Sequence, residues 1–129
     1  MERLLGRHSD TLYCLMRFMA GAMFACHGAQ KLFGVLGSQV MTGNPLMLVA
    51  GIVEFGGGLL IALGLATSYA AFLSSGEMAV AYFKAHASQG GFWPILNKGE
   101  MAVLFCFVFL YIAAHGSGSI SVDAAMRKR

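Results

Sequence analysis

The chain has 129 residues, of which 57% are hydrophobic and 12% are charged, and its formal net charge is +3. Soluble domains carry roughly 25% charged residues, so this composition excludes an ordinary soluble domain and indicates a membrane protein. At about 20 residues per membrane-spanning helix, the length allows four spans with short loops. We therefore expect one all-α transmembrane domain, residues 1–129, folded as an integral membrane four-helix bundle.

The positive charge is concentrated at the two ends of the chain. Arg3 and Arg7 precede the first apolar segment, and residues 127–129 are all basic. Basic ends beside apolar segments mark the cytoplasmic side of a membrane protein. No basic stripe is interleaved with aromatic residues on a soluble surface, so we expect no nucleic-acid partner.

Four apolar segments follow one another along the chain, separated by breaks rich in turn-forming residues. The predicted spans cover approximately residues 11–33, 46–66, 69–87 and 99–115. The break at 34–45 carries no charge, and the break at 88–98 carries one lysine. Because an even number of spans places both termini on one side, the positive-inside rule predicts that both are cytoplasmic.

Ionisable residues interrupt these apolar segments toward their outer ends. They are His27 and Lys31 in span one, Glu54 in span two, Glu77 and Lys84 in span three, and Glu100 at the start of span four. At a rise of 1.5 Å per residue, His27 lies about 10 Å and Glu54 about 12 Å from the outer surface. Ionisable groups at such depth are costly, so they are paired, hydrated or functional.

Helical spacing predicts which of these residues share a face. His27 and Lys31 are four residues apart and lie on one face, and Arg17 falls within about 40° of that face, where it can pair with a carboxylate. Lys84 follows Glu77 by seven residues on the same face of span three. The sequence therefore predicts an ion pair between Glu77 and Lys84.

Three short motifs carry a resemblance to a known family. They are His27-Gly28-x-x-Lys31-Leu32, Gly51-x-x-Glu54-x-Gly56-Gly57-Gly58 and Asn97-x-Gly99-Glu100. Over about residues 13–114 the chain resembles the DoxX family of small four-helix bacterial membrane proteins. This resemblance implies a multi-pass protein of the bacterial inner (cytoplasmic) membrane and an association with quinone-linked oxidoreductase systems.

The polar residues allow two interpretations, which the sequence leaves open. In the first, His27, Lys31, Glu54, Glu77 and Glu100 form a ligand- or proton-binding pocket in the outer half of the bundle. In the second, the same groups pair with one another and hold the helices in register. A di-metal site is not expected, because carboxylate-bridged bundles use Glu-x-x-His pairs and this chain has none.

Three functions are compatible with such a bundle. The leading hypothesis is a small component of a quinone-linked redox system with a polar small-molecule pocket. No flavin, haem or iron–sulfur motif is present, so electron transfer needs a bound quinone or a partner subunit. The alternatives are a structural or assembly subunit without chemistry of its own, and a proton or small-solute transporter, which would need a homo-oligomer.

Overall fold

The computed structural model describes residues 1–128, and this part of the chain is helical, with no β-strand. The helices are α1 Glu2–Leu5, followed by a 3₁₀ turn at Gly6–His8, α2 Ser9–Phe33, α3 Pro45–Leu63, α4 Thr67–Ala81 with a π-helical extension at Tyr82–His86, α5 Pro94–Asn97, α6 Glu100–His115 and α7 Val122–Arg127. The prediction of an all-α chain is confirmed. With the π-helical extension counted as part of α4, the four long helices coincide with the four predicted segments to within three residues at each end.

Local sequence signals set the ends of the long helices. The Asn44 side chain accepts a hydrogen bond of 3.0 Å from the backbone N–H of Leu46, and Pro45 occupies the first helical position of α3. Both choices favour a helix start, because the side chain satisfies a free N–H and proline lacks one. Gly34 and Gly64 end α2 and α3 in the left-handed conformation that glycine adopts without strain.

Helices α2 and α3 pack with their backbones in direct contact. A methyl group placed on Gly28 would lie 2.2 Å from the backbone nitrogen of Phe55, and one on Gly58 would lie 2.4 Å from that of Ala25. Neither distance leaves room for a side chain. Close helix contact through small residues is the typical packing mode of membrane helices, and here it fixes the register of α2 against α3.

The interior of the bundle is filled by large apolar side chains. Phe24, Ile61, Phe109 and Ile112 are completely buried. The rings of Phe24 and Phe109 lie 4.7 Å apart between centroids in an edge-to-face arrangement, a favourable geometry for aromatic pairs. This layer joins α2 and α3 to α6, on which α4 also packs.

Arg17 connects the end of α3 to the segment that follows α6. Its guanidinium is buried and donates to the backbone carbonyls of Ile61 (3.0 Å), Ile120 (2.9 Å) and Ser117. The predicted pairing of Arg17 with a carboxylate is therefore not formed. Arg17 lies four helical turns, or about 21 Å, from Lys31, and the last carbonyls of α3 are free acceptors at a negative helix end.

Residues 116–127, which we call the terminal cap, fold over this same end of the bundle. Asp123 accepts hydrogen bonds from the backbone N–H groups of Ala66 (2.9 Å) and Thr67 (3.0 Å) and from the Thr67 hydroxyl (2.8 Å). Asp123 thus caps the start of α4, whose own N-cap residue provides no side-chain bond. Burial acts to raise the pKa of Asp123, but the hydrogen bonds from Thr67 and Ala66 outweigh it and hold that pKa below its usual value.

We expect Gly58→Ala to destabilise the protein by about 1–3 kcal/mol, because the added methyl group overpacks the contact between α2 and α3. The midpoint of thermal unfolding in detergent micelles measures this effect. Gly56→Ala is the matched control, since a methyl group there meets nothing within 4 Å and alanine favours the helix. Equal losses in the two variants would show that the helices do not touch as described.

Asp123→Ala should lower the free energy of unfolding by about 1 kcal/mol, the usual contribution of a helix cap. Because the folded-state pKa of Asp123 lies below the usual aspartate value of 3.8, this contribution is present above that pH. It disappears as the pH falls through the folded-state pKa. Chemical denaturation at several pH values measures the difference, with Glu2→Ala as control, and a difference that grows on acidification would contradict the cap.

Candidate functional site

An ion pair between α2 and α3 forms the centre of the candidate site. Lys31 Nζ lies 2.6 Å from Glu54 Oε2, and the two side chains are 21% and 3% exposed. The glycine contacts place the two residues, since a methyl group on Gly51 would lie 3.2 Å from Lys31 Cβ and one on Gly28 would lie 2.8 Å from the carbonyl carbon of Glu54. Lys31 reaches outward along its aliphatic stem, while Glu54 is enclosed.

A second carboxyl group approaches the pair from α4. Glu77 stands opposite Glu54 across the interface between α3 and α4. The register of these antiparallel helices places it there, because Gly57, three residues after Glu54, faces Ser74, three residues before Glu77. A methyl group on Gly57 would lie 2.7 Å from Ser74 Oγ. We call Lys31, Glu54 and Glu77 the carboxyl cluster.

Two polar atoms beside the cluster have no protein partner. Ser74 Oγ and Glu77 Oε2 are buried and make no hydrogen bond within residues 1–128. Ser74 is completely buried and stands one turn from Glu77 on the same face of α4. Buried polar atoms are normally satisfied, so this part of the α3–α4 interface has unused hydrogen-bonding capacity.

The other predicted site residues lie outside the cluster. His27 is exposed one turn before Lys31, and its ring stands edge-to-face to Phe105 with 6.1 Å between ring centroids. Glu100 is exposed at the start of α6. The structure thus brings together three of the five residues predicted to bind a ligand or a proton.

The predicted ion pair between Glu77 and Lys84 is not formed. Lys84 is exposed and lies in the π-helical extension of α4, and Lys31–Glu54 is the ion pair found within residues 1–128. Seven residues along a helix correspond to about 10 Å, and the wider π turn rotates the side chain away from the expected face. Lys31 reaches the carboxyl groups from the neighbouring helix instead.

An apolar cleft of about 340 Å³ lies between α4, α6 and the loop before α5. Aromatic and aliphatic side chains line it, including Met78, Tyr82, Phe92, Trp93 and Phe107. None of the predicted polar site residues belongs to this lining. The cleft and the carboxyl cluster are therefore two separate features of the bundle.

Asn97 organises the loop that borders this cleft. Its amide nitrogen donates to the carbonyl of Gly91 (2.8 Å) and lies 3.3 Å from the hydroxyl of Tyr82, which itself donates to the carbonyl of Phe92. Its amide oxygen accepts from the backbone N–H of Gly99 (2.9 Å). Sequence reasoning placed Asn97 in a motif but did not predict this structural role.

Comparison with known proteins identifies the family. The DoxX family model matches residues 12–87. The chain belongs to the DoxX family. A relative from Haemophilus influenzae, described as an uncharacterized protein, is 37% identical over 131 residues that cover 97% of this chain and 98% of the relative. No solved structure matches the chain.

Membership of the DoxX family makes this chain a membrane-associated protein. The matched residues contain α2, α3 and α4 with all three members of the carboxyl cluster, whereas Glu100 and the terminal cap lie beyond them. Within residues 1–128 no group of three or more His, Cys, Asp or Glu side chains converges as metal ligands would. The chemistry available to the cluster is ion pairing, hydrogen bonding and proton exchange.

We expect Lys31→Met to destabilise the protein by about 3–5 kcal/mol, the usual effect of removing one partner of a buried ion pair, because Glu54 then has to take up a proton at neutral pH. Glu54→Gln should have a smaller effect, because Glu77 then takes over the pairing with Lys31. The double variant should recover part of the loss of Lys31→Met. Thermal unfolding in micelles measures all three, with Lys98→Met as an exposed control, and an unaffected Lys31→Met would contradict the ion pair.

Proposed function

We propose that this DoxX-family chain crosses the bacterial inner membrane four times with both termini in the cytoplasm. The length and apolarity of α3 support this, since its mean hydropathy is 2.2 and only 28% of its most apolar window is buried. A core helix of a soluble protein would be mostly buried. Helix α4 and its π extension together run from Thr67 to His86, which is long enough to span.

The exposed surface and the charge distribution support the same topology. Large apolar side chains are exposed along all four long helices, among them Leu15, Val49, Phe72 and Leu104. In water this surface would aggregate, whereas in a bilayer it meets lipid. Arg3, Arg7 and Arg127 lie at the end of the bundle closed by the terminal cap, which agrees with a cytoplasmic position.

We further infer that the protein is a small component of a membrane redox system and that the carboxyl cluster handles a proton or a hydrogen-bonding ligand there. The observation that carries this inference is the second carboxyl group. One glutamate is sufficient to lock Lys31 to α3, yet the bundle also buries an oxygen of Glu77 without a partner. Ionisable groups retained at such a cost within a membrane are functional by default.

A quinone fits the predicted contact residues only in part. Lys31 and Glu54 satisfy each other at 2.6 Å, whereas the exposed His27 has a ring N–H available for a ligand oxygen. The apolar cleft between α4 and α6 suits a flat ring, but the Tyr82 hydroxyl beside it is already engaged. We therefore assign proton handling to this chain and leave the redox group to a bound quinone or a partner subunit.

A structural or assembly subunit is the second candidate. The direct Lys31–Glu54 contact favours it, because such a pair holds α2 and α3 in register whether or not a ligand binds. The terminal cap also favours a structural role, because Arg17 and Asp123 both form hydrogen bonds between segments that are far apart in the chain. A transporter is less compatible, because the completely buried Phe24 and Phe109 fill the bundle between the cluster and the cytoplasmic end.

Binding of a soluble short-chain quinone to the purified protein in lipid nanodiscs tests the redox assignment. We expect saturable binding, weakened about fivefold by His27→Ala, since one hydrogen bond contributes about 1 kcal/mol. Glu100→Gln is the control and should bind as the wild type does. If the folded wild type binds no quinone, and Glu77→Gln co-purifies with the same partners as the wild type, the structural subunit is the better account.

A further inference from the structure

We propose that Glu54 and Glu77 share one exchangeable proton, so that the carboxyl cluster is a site for a single proton inside the bundle. This inference rests on the proposed function, in that it names the ligand of the same cluster. It requires neither a quinone nor a partner subunit. Three features of the cluster support it: the facing positions of the two carboxyl groups, the net charge of the cluster and the unpaired polar atoms around it.

The facing positions of the two carboxyl groups require a proton. An ionised carboxylate only accepts hydrogen bonds, so two of them cannot bond to each other. The antiparallel register of α3 and α4, set by the contact of Gly57 with Ser74, places Glu54 and Glu77 on facing turns, where Glu54 and Glu77 Oε2 are buried. Where two carboxyl groups share a site in this way, one of them keeps its proton.

The charge of the cluster sets the number of protons at one. Lys31 contributes one positive charge, and two ionised glutamates would contribute two negative charges. The other ionisable residues of the predicted site, His27, Lys84 and Glu100, are all exposed, and the His27 ring packs against Phe105 of α6. One proton makes the cluster neutral, whereas none or two would leave a net charge where charge is expensive.

The unpaired atoms provide a route for the proton to move. The Ser74 hydroxyl is completely buried, has no partner and faces Gly57, one turn from Glu54. A hydroxyl can donate and accept, so it can take over the hydrogen bond that Glu77 releases when the proton moves. Lys31 is more exposed than Glu54, which places exchange with water on the side of Lys31.

Infrared spectroscopy of the protein in lipid bilayers tests this proposal. At neutral pH we expect the C=O stretching band of one protonated carboxyl group, shifted in D₂O because the proton exchanges. Glu77→Gln and Glu54→Gln should each abolish the band, because the remaining carboxylate pairs with Lys31. Lys31→Met should double it, since two carboxyl groups without a cation hold two protons. Glu100→Gln is the control and should leave it unchanged.

A band that is absent from the wild type, or that survives in both single glutamate variants, would overturn the proposal. A band that is lost as expected but does not shift in D₂O would also overturn it, because the proton would then be fixed. If Lys31→Met does not fold, Lys31→Arg keeps the charge and should retain a band of unchanged intensity. Loss of quinone binding with an intact band would refute only the redox assignment.

Discussion

The ion pair between Lys31 and Glu54 is the interaction on which the polar half of this bundle depends. Removing two charges from water costs several kcal/mol per ion, and only close and well-oriented contact offsets that cost. The contact is available because α2 and α3 touch through Gly28 and Gly58 with no side chain between them. The same register places Glu77 beside the ion pair, although Glu54 alone is sufficient to pair with Lys31.

The two ends of the bundle stabilise buried charge with different kinds of partner. At one end the lysine of the carboxyl cluster meets buried carboxyl groups. At the end closed by the terminal cap, Arg17 meets neutral carbonyls, which carry the negative end of the α3 dipole and cannot titrate. Asp123 likewise caps the positive end of α4. The end with Arg17 and Asp123 therefore fixes the fold through hydrogen bonds to the backbone, whereas the other end holds the carboxyl cluster. A packed apolar layer lies between the two ends.

The sequence predicts much of this arrangement but not all of it. Apolar segment lengths locate the long helices, and estimated depth brings His27, one turn from Lys31, to about the level of Glu54. The partners of Arg17 and Asp123 could not be predicted, because they are mostly backbone groups between 44 and 103 residues away in the chain. The rotation of Lys84 away from Glu77 depends on a π turn for which the local sequence gives no signal.

The distance between Lys31 Nζ and Glu54 Cδ in a lipid bilayer tests the account most directly. Solid-state NMR on protein labelled with ¹⁵N in lysine side chains and ¹³C in glutamate carboxyl groups measures it through their dipolar coupling. The account predicts a strong coupling, in keeping with the N–O separation of 2.6 Å, that disappears in Lys31→Met and persists in Lys84→Met. A wild-type protein without that coupling would contradict it.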